Sequence, residues 1–149
     1  MITVGVKIGQ IMTTDVITVR PDDPMDKVRE IFEHHNIHHV PIVDAGKVMG
    51  MISREDYFKI LHGFTLFKAQ KSEEYNNAIL RSLLAGEVMT RQIATLTPDD
   101  TLQMAAGYFR ENLFHAIPIV DSHGKLVGIV TTYDLLNYAF KEHIFEMEG

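Results

Sequence analysis

The sequence contains no cysteine, which excludes disulfide bonds, thiolate nucleophiles and cysteine-ligated zinc. It also lacks any continuous apolar run of the ~18–20 residues that a membrane-spanning helix needs. The N-terminal stretch MITVGVKIGQIMTTD has no basic region followed by a continuous apolar core, so we expect no secretory signal peptide. These absences predict a cytoplasmic protein without a membrane partner.

Positive charge is scarce and scattered along the chain. Lysine and arginine number 14 against 20 aspartates and glutamates, which gives a net charge of −6. Proteins that bind nucleic acid usually concentrate lysine and arginine in a stripe, because phosphate neutralisation supplies much of the affinity. No such stripe is visible, so we expect no nucleic-acid partner, while a local pocket for a small anion stays compatible with the overall acidity.

What the 149-residue chain does contain is an internal repeat. The stretch VPIVDAGKVMGMISRED (40–56) aligns with IPIVDSHGKLVGIVTTYD (117–134), which carries one extra residue in the turn after its aspartate. Upstream, MTTDVITVRPDDPM (12–25) aligns with MTRQIATLTPDDTL (89–102). The regular spacing indicates two copies of one unit of roughly 55 residues.

Each copy predicts the element order β-α-β-β-α. A short β-branched strand (16–19 or 93–96) leads into Pro-Asp-Asp, where Asp23 or Asp100 suits a helix N-cap. Apolar residues at helical spacing follow, and we expect the first helix to end near Asn36. Two strands joined by a turn with Asp and Gly, and then a closing helix, complete each copy.

One copy alone buries too little apolar area to offset the entropy of its chain, so the two copies should pack together about a pseudo-twofold axis. The expected fold class is α/β, with small mixed sheets flanked by helices. In the stretch between the copies, Ser72 suits the cap of a helix whose apolar face holds Ala78, Ile79 and Leu83 and which ends at Gly86. We expect copy one at 8–62, a helical linker at 63–87, copy two at 86–140, and a helix end and tail at 141–149.

Four of the eight histidines lie in EHHNIHHVPIVD (33–44). A metal site built into the repeat should recur, yet only His38 has a histidine counterpart in copy two, His115. The predicted helix end at Asn36 also interrupts the i,i+4 spacing of His34 and His38. We therefore expect no metal site. Neither a nucleophile elbow nor a Gly-rich phosphate loop is present, so we expect no catalytic residues.

The motif that recurs is GMISRED in copy one and GIVTTYD in copy two. It can be a capping box, in which Ser53 or Thr131 caps the closing helix and Asp56 or Asp134 reaches back. It can also be a ligand site, because a helix N-terminus offers N–H groups to phosphate and a carboxylate accepts two hydrogen bonds from a diol. The local pattern leaves both interpretations open.

Both copies resemble the cystathionine-β-synthase (CBS) domain, and the pair resembles a standalone Bateman module. The pieces that carry the resemblance are MTTDVITVRPDDPM, HHVPIVD and GMISRED, followed by MTRQIATLTPDDTL, HAIPIVD and GIVTTYD. The resemblance implies a regulatory module that binds AMP, ADP, ATP or S-adenosylmethionine in two clefts, forms a homodimer and signals to an effector protein. It implies no catalysis and no catalytic cofactor.

The resemblance also assigns roles to residues. The motif aspartate would hold the ribose, the preceding hydroxyl and nearby basic residues would meet phosphate, and adenine would lie against the first-strand segment of the other copy. One cleft would use Thr131, Thr132, Asp134, Thr14, Val16, Ile17, His38 and His39. The other would use Ser53, Arg54, Asp56, Ile93, Ala94, Phe114 and His115.

Two other functions stay open. A small hydrolase built on His38, Asp44 and Ser53 predicts substrate turnover. A purely structural dimerisation module with empty clefts predicts no stabilisation by ligands.

Overall fold

The computed structural model describes residues 5–65, 72–111 and 114–148, and the chain divides into two compact units. The first unit is Ile17–Gln92, and the second unit combines Met1–Val16 with Ile93–Gly149. Each unit therefore holds the body of one repeat together with the amino-terminal segment of the other. No described helix is both long enough and apolar enough to cross a membrane.

The first unit is built around one antiparallel strand pair. Its elements are α1 (Met25–His34), β1 (His39–Asp44), β2 (Lys47–Ser53), α2 (Arg54–Thr65), α3 (Ser72–Ser82) and α4 (Ala85–Val88). The turn between β1 and β2 places Ala45 and Gly46 at positive φ (50° and 83°), the backbone of a two-residue type I′ hairpin. The apolar side chains of α1, β1 and β2 meet in the core, where the buried residues include Val28, Phe32, Val40, Ile42 and Ile52.

The second unit repeats this arrangement. It contains a short 3₁₀ helix (Ile8–Gln10), α5 (Leu102–Arg110), β3 (Ala116–Val120), β4 (Leu126–Thr131) and α6 (Thr132–Glu148). The β3–β4 pair is antiparallel, and its register shifts after Ile119 just as the register of the first pair shifts after Ile42. The core holds Ile8, Leu102, Ile117, Ile119 and Val130, all fully buried. The strand-turn-strand and closing helix predicted for each copy are therefore confirmed.

The exchanged amino-terminal segments pair with the second strand of each hairpin. In the second unit the backbones of Thr13 and Ile129 exchange two hydrogen bonds of 2.9 Å. In the first unit Thr90 and Met51 do the same, at 2.9 and 3.1 Å. The repeat thus reuses one contact in both units.

The predicted first strands of the copies are not continuous strands. The segments 16–19 and 93–96 each form a single parallel bridge, Val19 with Ile42 and Leu96 with Ile119. Each segment makes one isolated bridge in place of the continuous strand that its β-branched residues predict.

The N-caps predicted for the first helix of each copy are each wrong by one residue. Asp23 accepts the backbone N–H of Arg20 at 2.7 Å and so closes a turn before the helix. Pro24 is the N-cap of α1, and the Met25 N–H donates to the Leu83 carbonyl at 2.8 Å. A tertiary backbone contact therefore replaces the expected side-chain cap.

In copy two as well, a backbone contact takes the place of the predicted side-chain cap. Asp100 accepts the Thr97 N–H at 2.7 Å, Thr101 is the N-cap of α5, and the Leu102 N–H donates to the Val6 carbonyl at 2.9 Å.

The end of the first helix near Asn36 is confirmed, but the left-handed cap that an asparagine would supply there is not formed. The helix ends at His34, and its C-cap is His35 with φ −130° and ψ 142°, which is extended backbone. No left-handed residue is needed at Asn36, because the chain passes directly from the helix toward β1.

The helical linker is present, but its buried face differs from the predicted one. Residue Leu80 of α3 is fully buried, whereas Ala78 is exposed and Ile79 is only partly buried. The helix ends at Ser82 rather than Gly86, and α4 follows it. The part of the predicted linker at 66–71 lies outside the described residues.

Candidate functional site

The Asp134 carboxylate joins the end of β4 to the first turn of α6. Its Oδ2 atom accepts the Thr131 backbone N–H at 2.8 Å and the Thr131 hydroxyl at 3.1 Å. In return, the Asp134 N–H donates to Thr131 Oγ1 at 3.3 Å. This reciprocal pattern is a capping box, as the Thr-x-x-Asp spacing predicts.

Copy one forms the same capping box. The Ser53 N–H donates to Asp56 Oδ2 at 3.0 Å, and the Asp56 N–H donates to Ser53 Oγ at 3.0 Å. Both repeated motifs therefore have a structural role at a helix start, whatever else they do.

The histidine that recurs in both copies contributes its carbonyl oxygen to this helix start. The Arg54 N–H at the beginning of α2 donates to the His38 carbonyl at 2.7 Å, and the Thr132 N–H of α6 donates to the His115 carbonyl at 3.4 Å. Backbone N–H groups at each helix N-terminus are thus bound within the chain, which reduces the number that can bind phosphate.

The second unit adds a further contact to its aspartate. The Thr13 hydroxyl donates to Asp134 Oδ1 at 3.4 Å, so the exchanged amino-terminal segment reaches the carboxylate directly. Thr13 itself was not predicted as a site residue; its neighbour Thr14 was. The Met-Thr pair at the same place in both copies was the sequence signal that could have identified it.

A cavity of about 420 Å³ opens beside Asp134 in the second unit. It is lined by Val6, Gln10, Ile11, Asp134, Asn137 and Tyr138. Its size lies within the ~300–1,000 Å³ range of small-molecule sites. Of these residues only Asp134 was predicted; Asn137 and Tyr138 follow it at i+3 and i+4, the spacing that places residues on one helix face.

Arg54 lies in the first unit, where its guanidinium binds carbonyl groups in the last turn of α1 and just after it. It donates to the carbonyl oxygens of Ile37 (2.7 and 3.2 Å), Phe32 (2.9 Å) and His35 (3.2 Å). The guanidinium carbon also lies 5.3 Å from the centre of the Phe32 ring. This geometry stabilises the end of a helix, a role that the motif pattern did not predict.

The histidine cluster lies at the end of α1 and the start of β1. His34 Nδ1 lies 2.9 Å from the Glu30 carbonyl oxygen, and the side chains of His35 and His38 face solvent. Among the described residues, no three His, Asp or Glu side chains are close enough together to bind a metal ion. The absence of a metal site stays a prediction.

The predicted clefts draw residues from both units. The second unit holds Thr131, Thr132 and Asp134 together with Thr14 and Val16, whereas Ile17, His38 and His39 belong to the first unit. For the other cleft, the first unit holds Ser53, Arg54 and Asp56, and the second holds Ile93, Ala94, Phe114 and His115. Both composite clefts stay predictions.

Two α/β units with exchanged segments and a recurring hydroxyl–aspartate helix start define a tandem-repeat α/β fold. The model of the CBS domain family matches residues 8–63 and 85–141. The chain therefore belongs to the CBS domain family and contains two CBS domains.

Three similar proteins illustrate this membership. The inosine-5′-monophosphate dehydrogenase of Korarchaeum cryptofilum is 28% identical over 121 residues, which cover 81% of this chain and 22% of the enzyme. The CBS domain pair of MJ0100, solved with 5′-methylthioadenosine and S-adenosyl-L-methionine, is 27% identical with a TM-score of 0.71, covering 92% of this chain and 98% of that one. The structure of CBSX2 with AMP shares the fold at 23% identity and a TM-score of 0.74, covering 93% of this chain and 99% of that one.

Several of the curated relatives are much longer proteins. The chain spans 22%, 29% and 46% of the lengths of three of them. The match to the dehydrogenase leaves most of that enzyme uncovered.

Proposed function

We propose that this CBS pair is a regulatory module that binds an adenosine-containing ligand, with Asp134 holding the ribose hydroxyls. The single observation that carries the proposal is the position of the Asp134 carboxylate, which lies on a 420 Å³ cavity and receives hydrogen bonds from Thr13 and Thr131. The candidate ligands are AMP, ADP, ATP and S-adenosylmethionine.

The chemistry of the carboxylate supports this role. A carboxylate offers about four lone-pair sites, and the Thr131 N–H and hydroxyl occupy two of them. Asp134 can therefore keep its capping bonds and accept both hydroxyls of a vicinal diol if the 3.4 Å contact from the Thr13 hydroxyl is released. An acidic residue performs this task for ribose in dinucleotide-binding folds. The amide and phenol groups of Gln10, Asn137 and Tyr138 line the same cavity and can orient a base or a 5′ substituent.

The relatives support the ligand class. The MJ0100 pair, at 27% identity, was solved with two adenosine-containing molecules. Residues that line the cavity can bind such a molecule through hydrogen bonds and apolar contacts alone, and the proposed event is binding without chemical conversion.

A thermal-shift panel tests the proposal. It contains AMP, ADP, ATP, NAD, S-adenosylmethionine and divalent metal ions. A ligand at about 100 times its Kd should stabilise the fold by ~2.7 kcal/mol, which raises the Tm of a chain of this size by several degrees. The matched variant Asp134→Asn should lose most of that shift.

The rival with a specific observation in its favour is a purely structural module. Both aspartates already have a complete structural role in capping boxes. If no ligand of the panel changes the Tm, the purely structural module replaces ligand sensing as the proposed function. Product formation from a model ester or phosphate, abolished by changing Ser53, would instead support the hydrolase.

We also propose that the module works in the cytoplasm as a homodimer and passes its state to an effector protein. Exposed large apolar side chains on α6 support a protein contact: Tyr133, Leu136 and Phe140 are 71%, 58% and 51% exposed. Sedimentation equilibrium of the full chain tests the dimer. A strict monomer at high micromolar concentration contradicts it.

A further inference from the structure

The segment around Thr13 is held against the second unit at three points. The Thr13 backbone exchanges two hydrogen bonds of 2.9 Å with Ile129 of β4. The preceding Met12 side chain packs against Gly128, since a Cβ atom built at that glycine would lie 2.6 Å from the Met12 sulfur. The third point is the Thr13 hydroxyl, which donates to Asp134 Oδ1 at 3.4 Å. The first two contacts fix the backbone and so hold the hydroxyl within reach of the carboxylate.

The hydrogen-bonding capacity of the Asp134 carboxylate is mostly used within the chain. A carboxylate has about four lone-pair sites. The Thr131 N–H and hydroxyl occupy two of them on Oδ2, and the Thr13 hydroxyl occupies one on Oδ1. A ribose diol presents two hydroxyl groups, and only one site is left for them. The diol therefore needs the site that Thr13 holds, because the two bonds from Thr131 belong to the helix cap.

Copy one pairs the equivalent segments but does not form the third contact. The Thr90 backbone exchanges hydrogen bonds of 2.9 and 3.1 Å with Met51, and Asp56 closes the same capping box with Ser53. Thr90 and Asp56 both lie in the described part of the chain, and there no hydrogen bond joins the Thr90 hydroxyl to the Asp56 carboxylate. The hydroxyl contact is thus a property of the Asp134 site and not of the repeat.

We propose that the Thr13 hydroxyl competes with the ligand ribose for Asp134, and that its displacement loosens residues 14–16. The inference rests on the proposed function, because it takes Asp134 as the residue that holds the ribose. Residues 14–16 lie outside the helices and strands, and Thr14 and Asp15 are exposed, so few contacts besides those of Thr13 restrain them. The chain then continues at Ile17 into the first unit. Displacement of one hydroxyl group therefore gives the module a way to pass its ligand state along the chain.

Isothermal titration of Thr13→Val with adenosine and 2′-deoxyadenosine tests the competition. Valine keeps the shape of threonine and suits a paired strand, but it lacks the hydroxyl. We expect adenosine to bind about threefold more tightly to this variant than to the wild type, because the diol no longer has to replace an internal hydrogen bond. The 2′-deoxyribose has no diol, and the site that is already available accepts its 3′ hydroxyl. The affinity for 2′-deoxyadenosine should therefore not change.

Two further variants serve as controls for the titration. Thr13→Ser retains a hydroxyl at the same position and should restore the weaker adenosine binding of the wild type. Thr90→Val removes the equivalent hydroxyl of copy one, which makes no contact with Asp56, and should leave adenosine binding unchanged.

A nitroxide spin label at Asp15→Cys measures the loosening of the segment. The sequence contains no cysteine, so the label attaches only at the introduced position. Saturating adenosine should narrow the spectrum of the label, and adding Thr13→Val should narrow it without adenosine. The same label at Gln92→Cys, the equivalent exposed position of copy one, should respond to neither change, because Thr90 has no hydroxyl contact to lose.

The outcomes separate the proposal from the function on which it rests. Unchanged adenosine affinity in Thr13→Val, or an equal gain for adenosine and 2′-deoxyadenosine, overturns the competition and leaves adenosine binding intact. A label at position 15 that does not respond to adenosine overturns the loosening of the segment. Failure of adenosine to bind to both the wild type and Thr13→Val at millimolar concentration overturns the proposed function itself, and the competition falls with it.

Discussion

Gly128 packs against Met12. A Cβ atom at this glycine would lie 2.6 Å from the Met12 sulfur and 3.0 Å from the Thr13 carbonyl oxygen. Copy one repeats the relationship between Gly50 and Met89, where the corresponding distance is 2.7 Å. The glycine of each repeated motif is thus required by the amino-terminal segment that pairs with the same strand. The Met-Thr and Gly-containing pieces of the repeat are one packing unit.

Alanine at either glycine should destabilise its unit. We expect Gly128→Ala to cost about 1–3 kcal/mol of unfolding free energy, because the added methyl forces the packed segment apart. Gly50→Ala should cost more, since its Cβ would also lie 2.7 Å from the Thr90 carbonyl oxygen, which is fixed by pairing with Met51. Urea unfolding measures both changes.

Gly107 is the control for this experiment. It lies in α5, and a Cβ there would meet nothing within 4 Å. Gly107→Ala should stabilise the protein by about 0.5–1 kcal/mol, because alanine loses less backbone entropy in a helix. Wild-type stability of Gly50→Ala would contradict the packing argument.

Arg54→Lys should destabilise the first unit even though it keeps the positive charge. Lysine cannot reproduce the planar fork that reaches the carbonyls of Phe32, His35 and Ile37 and stacks on the Phe32 ring. We expect a loss of about 1.5–3 kcal/mol, the range for hydrogen bonds that involve a charged group. The exposed Arg91→Lys should change stability by less than about 0.5 kcal/mol. Equal denaturation midpoints for the two variants would refute the role of Arg54.

Substitutions of the two motif aspartates distinguish a capping role from a ligand-binding role. Asp56→Asn and Asp134→Asn should each cost about 1 kcal/mol or less of stability, because an amide oxygen still accepts the backbone N–H. If Asp134 holds ribose, Asp134→Asn should also weaken ligand binding by roughly ten- to a hundredfold, which corresponds to about 1.5–3 kcal/mol. Calorimetric titration with the best ligand of the panel measures this. Unchanged affinity in both variants would leave capping as the whole role of the motif.

Stability should fall in acid partly through Asp23. The backbone N–H of Arg20 and the Lys27 ammonium, 3.2 Å away, lower the pKa of the Asp23 carboxyl below its ordinary value. A lowered folded-state pKa means that the ionised form is stabilised in the folded protein. Its contribution is therefore present above the unfolded-state pKa and is lost as the pH falls through the folded-state pKa.

The variant Asp23→Asn should thus be less stable than the wild type near neutral pH, and the difference should shrink as the pH is lowered to about 3. Thermal melts of both proteins over this range measure the difference. A gap in Tm that stays constant with pH would exclude titration of Asp23 as its cause.

Local chemistry in the sequence was sufficient for much of this architecture. The hairpin with an aspartate and a glycine in its turn, the closing helix and the Ser/Thr-x-x-Asp capping box all depend on residues that are close along the chain. Ser53 and Asp56 meet because the first turn of a helix brings residues three apart together, and the amino acids alone specify that geometry.

The tertiary structure decided which segments pair. Two similar copies give each Met-Thr segment two equivalent strands to join, and the sequence does not distinguish them; Thr13 binds Ile129 of the other copy, and Thr90 binds Met51. That exchange places Thr13 on the Asp134 carboxylate and brings Gln10 to the cavity beside Asn137. It also replaces the expected Asp23 cap of α1 with the Leu83 carbonyl. Contacts between residues far apart in the chain are chosen by shape complementarity and by the need to satisfy buried backbone groups, and no local pattern records that choice.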